Sequence, residues 1–311
     1  LDKMVKGGKR CKAQIKKQIF KETNLIIKKG DFVDRHVKNR VVMKKVKLVF
    51  RKKVGKLLYK SKLLKHGYNK PAGYPGDHNI IEHIYANRPI SKGLGKYLDM
   101  YALRDNYANA VKLRKNKMKE IMYKYIKNNR PNIINILNLG AGSCREVREV
   151  LKTLKTEKTI NFTFIDQDKN ALDYSKSKLA QYSHQHNFIY IRANLISLCR
   201  DKEKFSKILG AYDMIYSIGL ADYIPDYYLE KLISFSFSIL KKNGQLIIAH
   251  KDVVTYNSLM SDWFCDWNFI PRDENSLICL FKNSLNSKKY KRKQERVKGD
   301  KVIFVYIVKK G

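Results

Sequence analysis

The stretch from Ile133 to Glu146 constrains the fold of this chain more than any other. It reads I-I-N-I-L-N-L-G-A-G-S-C-R-E, an apolar run of β propensity that breaks into a glycine-rich turn, and Asp166 and Asp168 follow one strand–helix–strand half-unit later. Glycines at such a turn let the backbone bend tightly and approach a ligand, and an acidic side chain ending the next strand accepts hydrogen bonds from ribose hydroxyls. The combination indicates an α/β sheet that binds an adenosine.

The glycine pattern narrows the ligand further. G-A-G-S-C, residues 140–144, is shorter than the G-x-G-x-x-G pattern typical of dinucleotide sites. S-adenosylmethionine (SAM) has no pyrophosphate to place at a helix N-terminus, so the shorter pattern favours SAM over NAD. A glycine turn alone could mark only a tight strand–helix connection, and the interpretation therefore depends on Asp166 and on the strand pattern that follows.

Beyond residue 131, segments of strand length alternate with segments of helical periodicity. The predicted strands are 133–139, 161–166, 187–192, 212–217 and 245–250; the predicted helices are 144–155, one from 169, 201–209 and 226–240; a turn is predicted at 242–244. This alternation predicts a parallel sheet with helices on both faces. A helix over 273–281 and a hairpin of 289–296 with 301–308 around 297–300 then add an antiparallel end. The expected fold is α/β and Rossmann-like, the seven-stranded class I methyltransferase sheet with a terminal antiparallel hairpin.

The first third of the chain is predicted to be helical. Apolar residues recur there at spacings of three and four, namely Val42, Val46, Val49, Phe50, Val54, Leu57 and Leu58. The pattern predicts an amphipathic helix that either caps the catalytic domain or lies on a membrane surface. A turn-rich segment at 70–77 precedes helices at 78–87 and 91–128. We therefore divide the chain into a basic helical N-terminal extension, 1–68, a helical lid or cap, 69–130, and a SAM-binding domain, 131–311.

The net charge of +37 is concentrated at the two ends. Residues 1–70 carry 24 Lys and Arg against 4 Asp and Glu, and residues 288–311 carry 10 against 2. Basic ends on a nearly ordinary middle indicate an anionic partner, such as nucleic acid, an anionic membrane surface or an acidic carrier protein. The alternative is a lysine-rich composition expressed on solvated faces.

Cysteine usage and hydropathy bear on the compartment. The five cysteines are scattered without a C-x-x-C pair, which predicts reduced thiols and neither a zinc site nor a disulfide framework. No apolar run approaches the roughly 18–20 residues that span a bilayer. With 44% hydrophobic residues the chain is globular. We expect a cytoplasmic protein, with peripheral membrane association as an option and no metal.

Ligands of a doubly wound sheet collect at the carboxyl ends of its strands. The predicted cofactor residues at those ends are Gly140, Ala141, Gly142, Glu146, Asp166, Gln167, Asn194, Leu195, Ser217, Gly219 and Leu220. Asp166 is expected to bind the ribose, whereas Asp168 is better placed to cap the helix from 169. Asn194 is placed either to read the adenine edge or simply to form a turn.

Four segments resemble one family of enzymes. They are Gly73–Tyr85, Gly140–Glu146, Tyr216–Asp226, and Asp266–Trp267 with Pro271–Asp273. Together they are similar to the bacterial methyltransferases linked to synthesis of 3-hydroxy fatty acid methyl esters, such as the quorum signal 3-hydroxypalmitate methyl ester. The resemblance covers roughly 68–310 and departs at two positions, where Ala141 replaces a common cysteine and His250 a small or amide residue.

This resemblance implies SAM as methyl donor and a carboxylate or hydroxyl oxygen of a small, lipid-like acid as acceptor. A hydroxyl acceptor needs a general base, for which His250 is the candidate, the alternative being a strand-end histidine bonded to backbone. Tyr223, grouped with His250 as catalytic, and Asp222 are expected to line the acceptor pocket, although Tyr223 could be packing.

The resemblance also suggests a lid before the sheet. Tyr74, Asp77 and His78 fall in the turn where methyltransferases often cover the cofactor, and Asp77 could instead cap the helix from 78. The competing function is an RNA methyltransferase whose basic ends follow phosphates, although no N-P-P-Y-like segment follows the fourth strand. A third possibility is a module that keeps the fold without the reaction.

Overall fold

The computed structural model describes residues 11–200, 205, 208–254, 259–297 and 302–310. The chain divides into two compact units, which are treated separately. Unit 1 comprises Leu1–Val111 and Asn257–Asn268, and unit 2 comprises Lys112–Tyr256 and Phe269–Gly311. Most of the helix predicted at 201–209 and of the turn predicted at 297–300 lies outside the described residues.

Unit 2 is built on a seven-stranded sheet with strand order β3-β2-β1-β4-β5-β7-β6. The strands are β1 Ile133–Leu139, β2 Thr159–Asp166, β3 Asn187–Arg192, β4 Tyr212–Ser217, β5 Leu240–Lys251, β6 Tyr290–Arg296 and β7 Val302–Lys309. Strands β1 to β5 pair in parallel, and β7 pairs antiparallel with both β5 and β6. The predicted fold class, a mixed Rossmann-like sheet with a terminal antiparallel hairpin, is confirmed.

Helices connect these strands, and each of them except the helix at 195–200 overlaps a helix predicted from the periodicity. They are α7 Arg145–Thr153, α8 Lys169–Leu179, α9 Leu195–Arg200, α10 Asp226–Ser238 and α11 Glu274–Ser284. The central strands are apolar on both faces: Leu137, Ile165, Ile215 and Leu246 are each fully buried in one cluster with the inner sides of α10 and α11. Near-continuous burial of this kind is expected of parallel strands covered on both sides.

The turn predicted at 242–244 is part of β5 instead of preceding it. The pairing of β4 with β5 jumps from Tyr212–Leu240 to Met214–Gln245, so the intervening residues bulge out of the ladder. Asn243 adopts a left-handed φ of 61° at this bulge. Residues 242–244 therefore change the direction of the backbone as predicted, but they do so within a strand that begins five residues earlier than predicted.

Unit 1 is helical, as predicted. Its helices are α1 Cys11–His36, α2 Arg40–Leu58, α3 Lys62–Asn69, α4 His78–Ala86, α5 Gly93–Ala102 and the start of α6 Asn106–Asn128. The single helix predicted over 91–128 is wrong, because the chain turns between α5 and α6. There Asp105 Oδ2 accepts a hydrogen bond from the Tyr107 amide at 3.0 Å and starts the new helix.

A later segment of the chain, residues 259–268, completes unit 1 against α2. Trp263 packs edge-on against Phe50 with ring centroids 5.3 Å apart, and its indole donates to Asp34 Oδ2 at 3.1 Å. Lys47 Nζ lies 2.5 Å from Asp262 Oδ2, and Arg51 donates to the Asp262 carbonyl at 3.1 Å. Nothing in the sequence pattern predicted this return. Among the described residues, no helix is both long and apolar enough to cross a bilayer.

Candidate functional site

The candidate site lies where the strand order of unit 2 reverses. From β1 the sheet continues through β2 and β3 on one side and through β4 and β5 on the other. Ligands of open α/β sheets bind outside the carboxyl ends of the strands at such a switch point. The turn after β1, the end of β2 and the loop after β4 therefore supply the residues to consider.

Asp166 and the glycine turn form one hydrogen-bonded unit. The Gly142 amide donates to Asp166 Oδ2 at 2.8 Å, and the Asp168 amide donates to Asp166 Oδ1 at 2.9 Å. The Gly140 and Ala141 amides both donate to the Ile165 carbonyl, at 2.9 and 3.1 Å. The turn after β1 is thus fixed against the end of β2.

The two glycines of the turn have different steric surroundings. Gly140 has φ 73°, and a Cβ at this position would lie 3.1 Å from Cβ of Leu220. Gly142 has φ 54°, and a Cβ there would meet nothing within 4 Å. Both conformations favour glycine. Gly140 lets the loop after β4 pack closely, and Gly142 leaves open space beside the Asp166 carboxylate.

The Asp166 carboxylate is buried, with 8% of the residue exposed, and burial raises its pKa above the ordinary value despite the backbone donors. Each oxygen accepts one amide and retains a further lone pair for a ligand hydroxyl. Asp168 instead accepts from the Asn170 amide at 2.9 Å, which confirms it as the N-cap of α8.

Glu146 lies at the start of α7 and is 3% exposed. Its Oε1 accepts from Tyr216 Oη at 2.7 Å and from Asn138 Nδ2 at 3.2 Å, which ties α7 to β1 and β4. Burial raises the pKa of Glu146. Ser217 Oγ donates to the Leu139 carbonyl at 2.8 Å and joins the ends of β1 and β4.

The residues after β3 lie at the next position along the edge. Asn194 Oδ1 accepts from the Ile196 amide at 2.8 Å and caps α9, and its Nδ2 lies 3.4 Å from Gln167 Oε1. Leu195 is buried, whereas Asn194 and Gln167 are exposed. The capping contact supports the turn interpretation of Asn194, and its contact with adenine remains a prediction.

Asp222 is the centre of a buried charged cluster that the sequence did not reveal. Its Oδ2 accepts from Arg114 Nη1 at 2.8 Å and from Lys251 Nζ at 2.8 Å, and its Oδ1 accepts from the Lys251 amide at 3.0 Å. The cations hold the pKa of this fully buried carboxyl well below its usual range. Burial in turn lowers the pKa of Lys251 to about 7, and its ammonium lies 3.6 Å from the Phe269 ring centroid.

His250 is enclosed at the end of β5 with 1% exposure. Its Nδ1 lies 2.5 Å from the Lys251 carbonyl, and Arg272 Nη1 lies 3.2 Å from its Nε2. Donation from Nδ1 leaves Nε2 as the acceptor for Arg272, and burial lowers the pKa of the ring. Both nitrogens are therefore engaged, which favours the interpretation of His250 as a strand-end histidine bonded to backbone.

Arg272 also fixes the loop after β4. It donates to the carbonyls of Ala221 at 2.7 Å and Ile224 at 2.5 Å, and to Asp226 Oδ1 at 2.6 Å. The ring of Tyr223 lies 5.4 Å from that of Phe269, a packing contact. The arginine could have been suspected from the Pro271–Asp273 segment, whereas Arg114 and Lys251 carry no sequence signal of their roles.

The predicted lid residues belong to unit 1. Asp77 is 2% exposed, caps α4 through the Asn79 amide at 2.9 Å, and lies 2.6 Å from His66 Nε2. His78 is buried at the first position of α4, and Tyr74 is half-buried in the preceding turn. The capping alternative for Asp77 is confirmed, and a lid function for this segment remains a prediction. No cluster of His, Cys, Asp or Glu suited to a metal occurs within the part of the chain that the structure describes.

Comparison with known proteins identifies the fold. No protein-family model and no curated protein matches the chain. A Bordetella parapertussis protein described as a possible exported protein has a solved structure with a TM-score of 0.61 and 16% identity, covering 80% of this chain and 86% of its own. The CurJ carbon methyltransferase aligns with a TM-score of 0.54 and 12% identity, covering 86% of this chain and 71% of its own. At these identities the likeness shows a shared fold.

Proposed function

We propose that the chain is a SAM-dependent methyltransferase. The observation that carries the proposal is the 2.8 Å bond from the Gly142 amide to Asp166 Oδ2, at the switch point of a class I sheet. It places a buried carboxylate beside a turn in which a Cβ on Gly142 would meet nothing within 4 Å. CurJ, a carbon methyltransferase, has the same fold and adds support.

The residues present fit such a cofactor. Asp166 would accept the ribose hydroxyls, the open backbone at Gly142 would allow close approach, and Ser217 and Leu220 would bound the crevice from the loop after β4. SAM supplies a methyl group on a sulfonium centre. The protein's contribution to the displacement is chiefly orientation, on the order of 7–11 kcal/mol when two reactants are pre-oriented.

The acceptor that we propose is the carboxylate oxygen of a small, lipid-like acid. A carboxylate is ionised at neutral pH and needs no general base, whereas a hydroxyl acceptor does. Both ring nitrogens of His250, the candidate base of the sequence analysis, are engaged, which supports the acceptor that requires no base. The similarity of the four sequence segments to 3-hydroxy fatty acid methyl ester enzymes adds the lipid-like class.

The test is transfer of a labelled methyl group from SAM to 3-hydroxy fatty acids of several chain lengths, read by mass spectrometry of the ester. We expect ester formation by the natural chain, a large decrease in Asp166→Ala at SAM concentrations below saturation, and its retention in Asp173→Ala, which removes an exposed carboxylate from α8. Absence of label at every chain length would refute the acceptor, and label on tRNA or rRNA instead would establish the competing RNA function.

A further inference from the structure

Helix α2 presents two unlike faces. One face packs within unit 1: Arg51, Gly55 and Leu58 are buried, and Phe50 contacts Trp263. The opposite face is exposed and is apolar as well as basic. Its exposed apolar residues are Val41 (67%), Val42 (46%), Leu48 (43%), Val49 (50%) and Leu57 (47%), and its exposed basic residues are Lys45, Lys52, Lys53 and Lys56.

These side chains are interleaved along one side of the helix. Val41, Lys45, Leu48, Lys52 and Lys56 follow one another at spacings of three and four, so they form one stripe, and the remaining exposed residues flank it. The sequence pattern places Val42, Val49 and Leu57 on an apolar face that either caps the catalytic domain or lies on a membrane surface. Their exposure means that packing within unit 1 leaves part of the apolar surface of α2 uncovered.

The charge on the exposed face is not compensated within the helix. Helix α2 contains no Asp or Glu. The acidic side chains near it engage the cations of the inner face, since Lys47 pairs with Asp34 and Asp262, and Arg51 with Asp266. In the described part of the chain, the lysines of the outer face form no ion pair with a carboxylate.

We propose that the exposed face of α2 binds an anionic phospholipid surface. Helices that lie in the membrane interface combine lysines with apolar side chains, which enter the boundary between headgroups and acyl chains by about 5–10 Å. Lysines near such a surface are attracted by its negative potential. A nucleic acid would neutralise the lysines but leave the valines and leucines in water, and the exposed face of α2 has no aromatic residue on which bases could stack.

The experiment is sedimentation of the full chain with vesicles of pure phosphatidylglycerol and, in parallel, of pure phosphatidylcholine. We expect binding to the anionic vesicles and little to the neutral ones. The triple variant Lys45→Gln, Lys52→Gln, Lys56→Gln should bind on the order of a hundredfold more weakly, since each lysine contributes roughly fivefold. The double variant Leu48→Ser, Val49→Ser should bind on the order of tenfold more weakly, because less apolar area is buried.

Matched controls separate this face from general charge and general hydrophobicity. Lys152→Gln, Lys155→Gln, Lys176→Gln removes three exposed lysines of unit 2, and Ile133→Ser, Ile189→Ser removes two exposed apolar side chains there. Both controls should bind as the natural chain does, with unchanged circular dichroism in all variants. Equal losses in control and test variants would overturn the proposal. The proposal would also be overturned if the Leu48→Ser, Val49→Ser variant bound vesicles normally while the triple lysine variant lost binding to both vesicles and single-stranded RNA. That result would assign the exposed face of α2 to a soluble polyanion.

Discussion

Asp166 has its two carboxylate oxygens held by two separate backbone amides. Gly142 belongs to the turn after β1 and Asp168 to the turn after β2, so one side chain fixes both turns. Pre-orientation of this kind means that a ligand hydroxyl meets an acceptor that does not have to be ordered on binding. The geometry of the crevice therefore depends on the Asp166 side chain.

Asp166→Ala should weaken SAM binding by about 10- to 100-fold, because hydrogen bonds to a charged acceptor contribute about 1.5–3 kcal/mol. Isothermal titration calorimetry measures the affinity directly. Asp173→Ala, which removes an exposed carboxylate of α8, is the control and should leave the affinity unchanged. Identical affinities of the natural chain and Asp166→Ala would remove Asp166 from the site.

The same carboxylate predicts a pH dependence of binding. Burial raises the pKa of Asp166, so the carboxylate is protonated at a higher pH than an ordinary aspartate. SAM affinity should therefore be fully present above that raised pKa and fall as the pH drops through it. Asp166→Asn should bind SAM more weakly, with an affinity that does not change over the same pH range. If the SAM affinity of both proteins fell in the same way with decreasing pH, another group would be responsible.

The two glycines of the turn should respond differently to alanine. Both adopt positive φ, so each substitution costs about 1–2 kcal/mol of stability. Gly140→Ala adds a contact of 3.1 Å with Leu220 and should lower the Tm more than Gly142→Ala, which adds none. Gly142→Ala should instead reduce SAM affinity in a protein that still folds. Thermal unfolding of both variants measures the two Tm values, and calorimetry measures their SAM affinity. A lower Tm for Gly142→Ala than for Gly140→Ala would contradict the predicted order.

At the scale of elements, the loop after β4 depends on two buried charged side chains. Asp222 bonds to helix α6 through Arg114 and to β5 through Lys251, and Arg272 binds the loop carbonyls from beyond β5. A loop fixed at three points can present Leu220 to the glycine turn reproducibly. These side chains fix the loop after β4, and a place for Asp222 in the acceptor pocket remains a prediction.

Asp222→Asn should destabilise unit 2 by about 3–5 kcal/mol, because it leaves Arg114 and Lys251 buried without their counter-ion. The expected fall in Tm is on the order of 10 °C. Adding Lys251→Met should recover part of the loss by removing one uncompensated cation. Asp173→Asn, at an exposed position, should leave the Tm unchanged, whereas an unchanged Tm in Asp222→Asn would show that the cluster is not stabilising.

Helices and strands could be predicted from the sequence where the pattern of apolar and turn residues lies within the element itself. The bounds of β1 and β4 coincide with apolar runs that end in turn residues. The break between α5 and α6 was missed because Leu103–Asp105 contains neither glycine nor proline, and only the cap by Asp105 reveals it. In the site, Gly142 and Asp166 followed from motif and strand end.

The cations around Asp222 could not be predicted, because their roles depend on contacts across the fold. Arg114 and Lys251 reach Asp222 from 108 and 29 residues away along the chain. An arginine in a helix and a lysine at a strand end are both common, so the sequence around Arg114 and Lys251 gives no sign of their contacts with Asp222. His250 shows the converse, since its position suggested a base and its contacts occupy both ring nitrogens.

At the scale of the whole molecule, the chain forms two units whose boundaries do not follow the sequence order. Residues 259–268 leave unit 2 and complete the helical unit 1, where Trp263 and Asp262 contact α2. Sequence patterns assign neighbours along the chain, so a short insertion of this kind carries no signal. The concentration of positive charge in residues 1–70 therefore belongs to unit 1, whereas the sheet that carries the candidate site belongs to unit 2.

The central claim is that the turn after β1 and the aspartate ending β2 bind the nucleoside part of SAM. A crystal structure of the chain grown with S-adenosylhomocysteine tests it most directly. The claim predicts the ribose hydroxyls within hydrogen-bond distance of Asp166 and the ligand against the open side of Gly142. Density for the ligand elsewhere, or a crevice blocked by side chains at a saturating concentration, would contradict it.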